Sequence, residues 1–113
     1  MLIYLICFDE HLHHAKHYVG STINLYERLN KHANGKGAAI TRHLFQTDRN
    51  WELKRLWIAN DLDSRTPEQL LKAQHNSPSY CPGCTKFPLR LAGAMDYDLS
   101  LVQETRSEDY RKG

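Results

Sequence analysis

The chain has 113 residues, 41% hydrophobic and 25% charged, a size and balance that suit one small domain and exclude an enzyme with separate binding and catalytic domains. Its formal charge of +2 is unevenly spread: residues 1–90 hold 12 Lys and Arg against 8 Asp and Glu, whereas residues 91–113 hold 3 against 5. That excess of +4 in the first part, which also carries all seven histidines, permits an anionic partner such as nucleic acid but does not demand one.

No apolar run approaches membrane-spanning length, and the opening MLIYLICFDE has neither a basic leader nor a small-residue cleavage site. The expected location is cytoplasmic. Three cysteines is an odd count, unlike a secreted disulfide framework. Cys7, inside an apolar run, reads as a buried and inert thiol.

In chain order, Leu2 to Phe8 is a short continuous run of β-formers and predicts a central strand. Asp9 to Lys16 reads as a hairpin loop, and His17-Tyr18-Val19 as a returning strand stopped by a tight turn at Gly20. Ile23, Leu25, Tyr26 and Leu29 recur at helical spacing, with Ser21 or Thr22 as the cap and Asn34-Gly35-Lys36-Gly37 as the stop. Ala38 to Phe45 is a short helical or looped segment. Trp51, Leu53, Arg55 and Trp57 alternate with Glu52, Lys54, Leu56 and Ile58, which predicts a third strand.

Thr66-Pro67-Glu68 opens a second helix, with Leu70 and Leu71 on its buried face and Ser77-Pro78 as its end. Cys81-Pro82-Gly83-Cys84 is a tight turn, and Ser107 to Gly113 reads as a frayed polar tail. The expected fold is α+β: a three-stranded antiparallel sheet flanked by helices, in the order β-β-α-β-α. Residues 1–90 form the main domain in this reading, and residues 91–113 a C-terminal extension, partly a polar tail.

Leu2-Ile3-Tyr4, Tyr18-Val19-Gly20, Arg28 eight residues after that glycine and His32 one turn later resemble the GIY-YIG endonuclease superfamily. Gly35 to Arg42 is similar to the glycine-rich segment that follows the helix in small members. Glu68 with Leu71-Lys72, then Asn76-Ser77-Pro78 and the Cys81–Cys84 turn, resembles the later part of one subgroup. The likeness covers roughly residues 1–84. Leu2 stands where the family name has glycine, and the loop before Tyr18 is longer than usual and rich in histidine.

The resemblance implies hydrolysis of DNA phosphodiester bonds assisted by one divalent ion, Mg²⁺ or Mn²⁺. Its catalytic set would be Tyr4, Tyr18, Arg28, His32 and Glu68, with Glu68 as the metal ligand and Tyr18 as general base toward water. Tyr4 would shape the site, and His32 would accept or relay a proton. The residue types suit the task. Arg28 and His32 are four apart and share a helical face, and a guanidinium fork matches phosphate oxygens. A carboxylate is a hard ligand of the kind Mg²⁺ prefers. A free tyrosine has a pKa near 10, so the base role needs neighbouring positive charge.

Each residue also has a plainer reading. Tyr4 and Tyr18 alone are strand packing, Arg28 and His32 a solvated helix face, and Glu68 a first-turn carboxylate that Lys72 can pair. Glu52 is the competing metal ligand, disfavoured by its place in an alternating strand. Lys36, Arg42 and Asn76 are the candidate nucleic-acid contacts, against a solvated loop for the first two and a helix cap for Asn76. His11, His13, His14 and His17 read as exposed turn residues.

Cys81 and Cys84 have the spacing of half a zinc site. Three readings stay open for them: a free thiol pair, zinc completed by His75 with water or another chain, or a relic. The rival to a nuclease is a non-catalytic nucleic-acid-binding module of the same fold. Strict DNA specificity in so short a chain would need a homodimer or a protein partner.

Overall fold

The computed structural model describes residues 2–12, 15–59, 77–91 and 93–111, and the following holds for those residues. Strand β1 spans Leu2–Leu12 and β2 spans Ala15–Thr22, so the hairpin is two long strands and not the expected loop from Asp9 to Lys16. Helices α1 (Leu25–Ala33) and α2 (Ala39–Gln46) follow, then β3 (Trp51–Ala59), the short helix α3 (Ser77–Tyr80), β4 (Ala94–Asp96), a 3₁₀ turn at Leu99–Leu101 and α4 (Ser107–Tyr110). The helix expected from Thr66, with Glu68, His75 and Asn76, lies outside the described residues.

The sheet is antiparallel in the order β2-β1-β3-β4. It therefore has four strands and not three; at three residues, β4 is too short to show a strand period in sequence. β1 is a continuous apolar run because both of its faces are covered. Tyr4, Ile6 and Phe8 face the helices with Leu25, Leu29, Leu44, Trp51 and Leu53. Ile3, Leu5 and Cys7 face a second core of Val19, Trp57, Tyr80, Cys81 and Leu91.

Strand β3 does not keep the simple alternation of its sequence. Leu5 pairs with Arg55 but Ile6 pairs with Leu53, so Lys54 is an extra residue. One inserted residue exchanges the faces of everything beyond it. Trp51 and Leu53 consequently sit in the helix-side core, whereas Trp57 sits in the other.

Helix α1 is amphipathic, burying Leu25, Leu29, His32 and Ala33. Its cap is Asn24, whose side chain accepts from the Glu27 amide at 3.2 Å, and not Ser21 or Thr22. Ile23 precedes the helix and is 85% exposed.

The described part of the C-terminal stretch is not a frayed tail. It covers the outer edge of β3, through β4 and the Tyr97 amide at one end and the Leu53 amide to Thr105 carbonyl bond (2.7 Å) at the other. An uncovered strand edge is a hazard for association, so a polar cover has a physical purpose. Ser107 is fully buried and accepts from the Trp51 amide at 3.0 Å, and Tyr110 stacks on Trp51. The Arg111 guanidinium donates to the Ala33 carbonyl (2.9 Å), the Asn50 side-chain oxygen (2.8 Å) and the Arg49 carbonyl (2.8 Å).

Arg111→Ala is therefore expected to cost about 1–3 kcal/mol of stability by removing this donor from the Ala33 and Arg49 carbonyls, while the Asn50 side-chain oxygen keeps the Ser107 hydroxyl. Arg111→Lys should recover only part of it, because an ammonium lacks the planar fork. Denaturant unfolding of the two variants checks this.

Candidate active site

The hairpin register places Tyr4 opposite Gly20 and Ile6 opposite Tyr18. Tyr4 and Tyr18 are thus diagonal neighbours on one face of the sheet, with ring centroids 6.2 Å apart. Gly20 is inside β2 and not in a turn. A side chain there would collide with the Tyr4 hydroxyl, and its Cβ would stand 2.5 Å from Tyr4 Cζ. The glycine exists so that the tyrosine ring can lie across the neighbouring strand.

His32, on the face of α1 that packs over this spot, is 0% exposed. Its ring centroid lies 5.7 Å from Tyr4 and 5.1 Å from Tyr18, edge-on to the latter. The Tyr4 hydroxyl is 2.7 Å from His32 Nε2, and His32 Nδ1 is 2.8 Å from Thr41 Oγ1. Thr41, itself fully buried, donates its hydroxyl hydrogen to the Ala38 carbonyl at 3.0 Å. Thr41 must then accept from His32, which puts the imidazole proton on Nδ1 and leaves Nε2 to accept from Tyr4. The result is a one-way chain from Tyr4 through His32 and Thr41 to the Ala38 carbonyl.

Gly37 closes the site from behind. A Cβ there would overlap His32 Nδ1 and reach Cε1 at 2.9 Å. Gly35 adopts φ +77°, the left-handed region that favours glycine. The glycine-rich segment is thus a fitted wall behind the imidazole.

Burial, and then the nearby Arg28 guanidinium, lower the His32 pKa to about 4. The ring is neutral at physiological pH, and its bare Nε2 is engaged by the Tyr4 hydroxyl. Arg28 is exposed one turn before it, while the adjacent Glu27 is paired with Lys31 at 3.3 Å. Lys36 and Arg42 are exposed, each next in sequence to a residue touching the imidazole, Gly37 and Thr41. Glu52 is engaged by Lys54 (2.9 Å) and Arg106 (3.3 Å).

Four of the expected residues, Tyr4, Tyr18, Arg28 and His32, are brought together here. Glu68 and Asn76 lie outside the described residues. Thr41 was missed by sequence reasoning, although a hydroxyl nine residues after the histidine, just past a glycine-rich stop, is the available signal.

Among the described residues no group of carboxylates converges near the tyrosines. The only cluster of three or more metal-ligating side chains among the described residues is Cys7, His17, Cys81 and Cys84. This corrects two expectations. Cys7 is buried but not isolated, and His17 is not a loose turn residue; the two are cross-strand partners in the hairpin. The Cys81–Cys84 turn is as expected, closed by the Cys84 amide on the Cys81 carbonyl at 3.0 Å. The hydrogen bond between the Cys7 and Cys81 thiols, and then burial, pushes Cys7 up, and that same hydrogen bond draws Cys81 down.

The shift on His32 has a defined consequence for acid stability. Between about pH 4 and the ordinary value of 6.5 the unfolded chain binds the proton and the folded chain does not. This contribution is whole above pH 6.5, is lost as pH falls through that window, and loses nothing more below about 4. It amounts to about 3 kcal/mol. Denaturant unfolding of wild type across pH 7 to 4 is expected to show that decline, and His32→Gln is expected to lack it.

The chain matches no curated protein and no solved structure at a significant level. The GIY-YIG catalytic domain matches residues 1–81 of the 113, covering both hairpin strands, both helices that build the tyrosine–histidine core, and β3. The chain belongs to the GIY-YIG family.

Proposed function

We propose that this protein is a metal-dependent DNA endonuclease of the GIY-YIG type. The observation that carries the reading is the buried Tyr4–His32–Thr41 hydrogen-bond chain with Tyr18 against the imidazole and Arg28 one helical turn away. A buried, fully oriented polar chain is costly to assemble unless every member is satisfied, and this one is. Membership of a nuclease family supports the same conclusion.

Hydrolysis requires a water to lose its proton as it attacks phosphorus, and charge to be held on the phosphate oxygens. Tyr18 is only half-buried, whereas Tyr4 is 1% exposed, so Tyr18 is the phenol that water can reach. In this proposal Tyr18 gives its own hydroxyl proton to solvent and then takes the attacking water's proton, ending the step as a neutral phenol, while Tyr4 and His32 form the fixed support behind it. Arg28 binds a non-bridging oxygen and stabilises the charge that develops there. Burial is the larger cause of the lowered His32 pKa and Arg28 the smaller, so a phosphate on Arg28 relieves only the smaller part and the imidazole stays neutral.

Lys36 and Arg42 extend the contact along the nucleic-acid backbone, and Asn76 adds a hydrogen bond. Glu68 is the ligand assigned to the divalent ion, Mg²⁺ or Mn²⁺. When bound, that ion supplies positive charge for the leaving oxygen. The protein acts in the cytoplasm, and strict sequence preference would come from a homodimer or a protein partner.

Plasmid and branched DNA incubated with Mg²⁺ or Mn²⁺ test the proposal. Wild type is expected to nick or cut in a metal-dependent manner, and Tyr18→Phe, Arg28→Ala and Glu68→Ala each to lower the rate on the order of 10²–10³-fold with unfolding unchanged. Cleavage that survives all three substitutions rejects the site. Binding without cleavage under every metal would replace the enzyme with the non-catalytic binding module.

A further inference from the structure

The face of the sheet opposite the tyrosines carries a second constellation. Cys7 from β1 and His17 from β2 are directly paired across the hairpin, and Cys81 and Cys84 come from the turn after α3. Their four ligand atoms lie within 4.8 Å of one another. Cys7 Sγ is 3.9 Å from Cys84 Sγ, and Cys84 Sγ is 3.3 Å from His17 Nε2. All three cysteines are free.

The geometry points to a structural zinc ion held by Cys7, His17, Cys81 and Cys84. Zinc takes four ligands in a tetrahedron, with Zn–S near 2.3 Å, so two sulfurs on one ion stand about 3.8 Å apart. The Cys7–Cys84 separation is close to that edge and far from a disulfide's length. Three thiolates and an imidazole form a soft-to-borderline donor set, which suits zinc and not a hard cation such as Mg²⁺. The set is complete at four, so no position is left open for a reacting water, as in a structural site.

Local surroundings fit the charge. Three thiolates on Zn²⁺ leave a net −1, and beside the cluster Lys54 and Arg106 share the single carboxylate of Glu52, an excess of one positive charge, with the Lys54 stem packed where a Gly83 side chain would meet Cε at 3.2 Å. Two ligands lie on the sheet and two on the turn, so the ion would fasten residues 81–84 to β1 and β2. The apolar core on this face, with Ile3, Leu5, Val19 and Trp57, is small, and a metal staple is how small cores are commonly held. Residues 60–76 connect Ala59 to Ser77, so the staple would also secure the chain just beyond their downstream end.

This inference is independent of the nuclease reading. A chain that holds zinc but cuts nothing rejects only the nuclease, and one that cuts without zinc rejects only the staple. The test is elemental analysis of protein purified without chelators or metal columns, then of protein stripped under reducing conditions and refilled with zinc alone. The expected result is one zinc per chain. Cobalt substitution should give the visible absorption of a tetrahedral, thiolate-bound ion. All three cysteines should resist alkylation until chelator is added, and chelation should lower the thermal midpoint in a way that zinc reverses.

His17→Ala and Cys84→Ser, the two less buried ligands, are expected to weaken zinc binding by at least about tenfold, while His75→Ala leaves it unchanged. If either variant fails to fold, the cobalt spectrum and alkylation pattern of wild type still decide. Zinc below about a tenth of an equivalent after refilling, thiols that alkylate freely in folded wild type, or full affinity retained in both variants would overturn the proposal. So would a Cys7–Cys84 disulfide in freshly purified protein.

Discussion

The alternation of side chains along β1 is the constraint on which the rest of the molecule depends. This strand is paired on both edges and covered on both faces, so each of its side chains is committed to one core or the other. Tyr4 points to the helices and Cys7, three residues later, to the opposite side. Two chemically different constellations, one of phenols and imidazole and one of thiols and imidazole, are therefore separated by the thickness of a single sheet. The pairing of β2 with β1 supplies the partners of each: Tyr18 beside Tyr4 on one face, His17 opposite Cys7 on the other.

On the helix side, polar groups are buried and yet satisfied in sequence. An imidazole shut away from water must be neutral and must find both a donor and an acceptor. Tyr4 and Thr41 provide these, and the Ala38 carbonyl ends the chain by fixing the direction of Thr41. The backbone meets this requirement through absence of side chains: Gly20 makes room for the phenol and Gly37 for the imidazole. Arg28 remains exposed on the same helix, where a charged partner can reach it without desolvating the core.

Much of this is legible in the sequence. The apolar run of β1, the amphipathic spacing of α1 and the ordered appearance of Tyr4, Tyr18, Arg28 and His32 sufficed for an α+β domain with those four side chains in view. What escaped has identifiable causes. Gly20 reads as a turn in the sequence because glycine more often ends a strand than hosts a neighbour's ring. Trp57 changed faces because a bulge at Lys54 leaves no mark in composition. β4 and α4 are only three and four residues long, and their order comes from covering the edge of β3 and from the contacts of Ser107, Tyr110 and Arg111. Cys7 reads as an inert core thiol because its apolar neighbours in sequence give no sign of its partner. Yet the pairing of Tyr4 with Gly20, carried three residues along the hairpin, places His17 directly across from it.

The contact between Gly37 and the imidazole has a spectroscopic consequence. With backbone against Nδ1 and Cε1, a phenol at Nε2 and a hydroxyl at Nδ1, a half-turn of the ring about its Cβ–Cγ bond would break both hydrogen bonds and drive ring atoms into their neighbours. Each nitrogen keeps its own environment for as long as the fold persists. In a ¹⁵N-labelled sample the two ring nitrogens of His32 should therefore resonate far apart, one protonated and one bare, without the averaging that a solvent-exposed histidine shows.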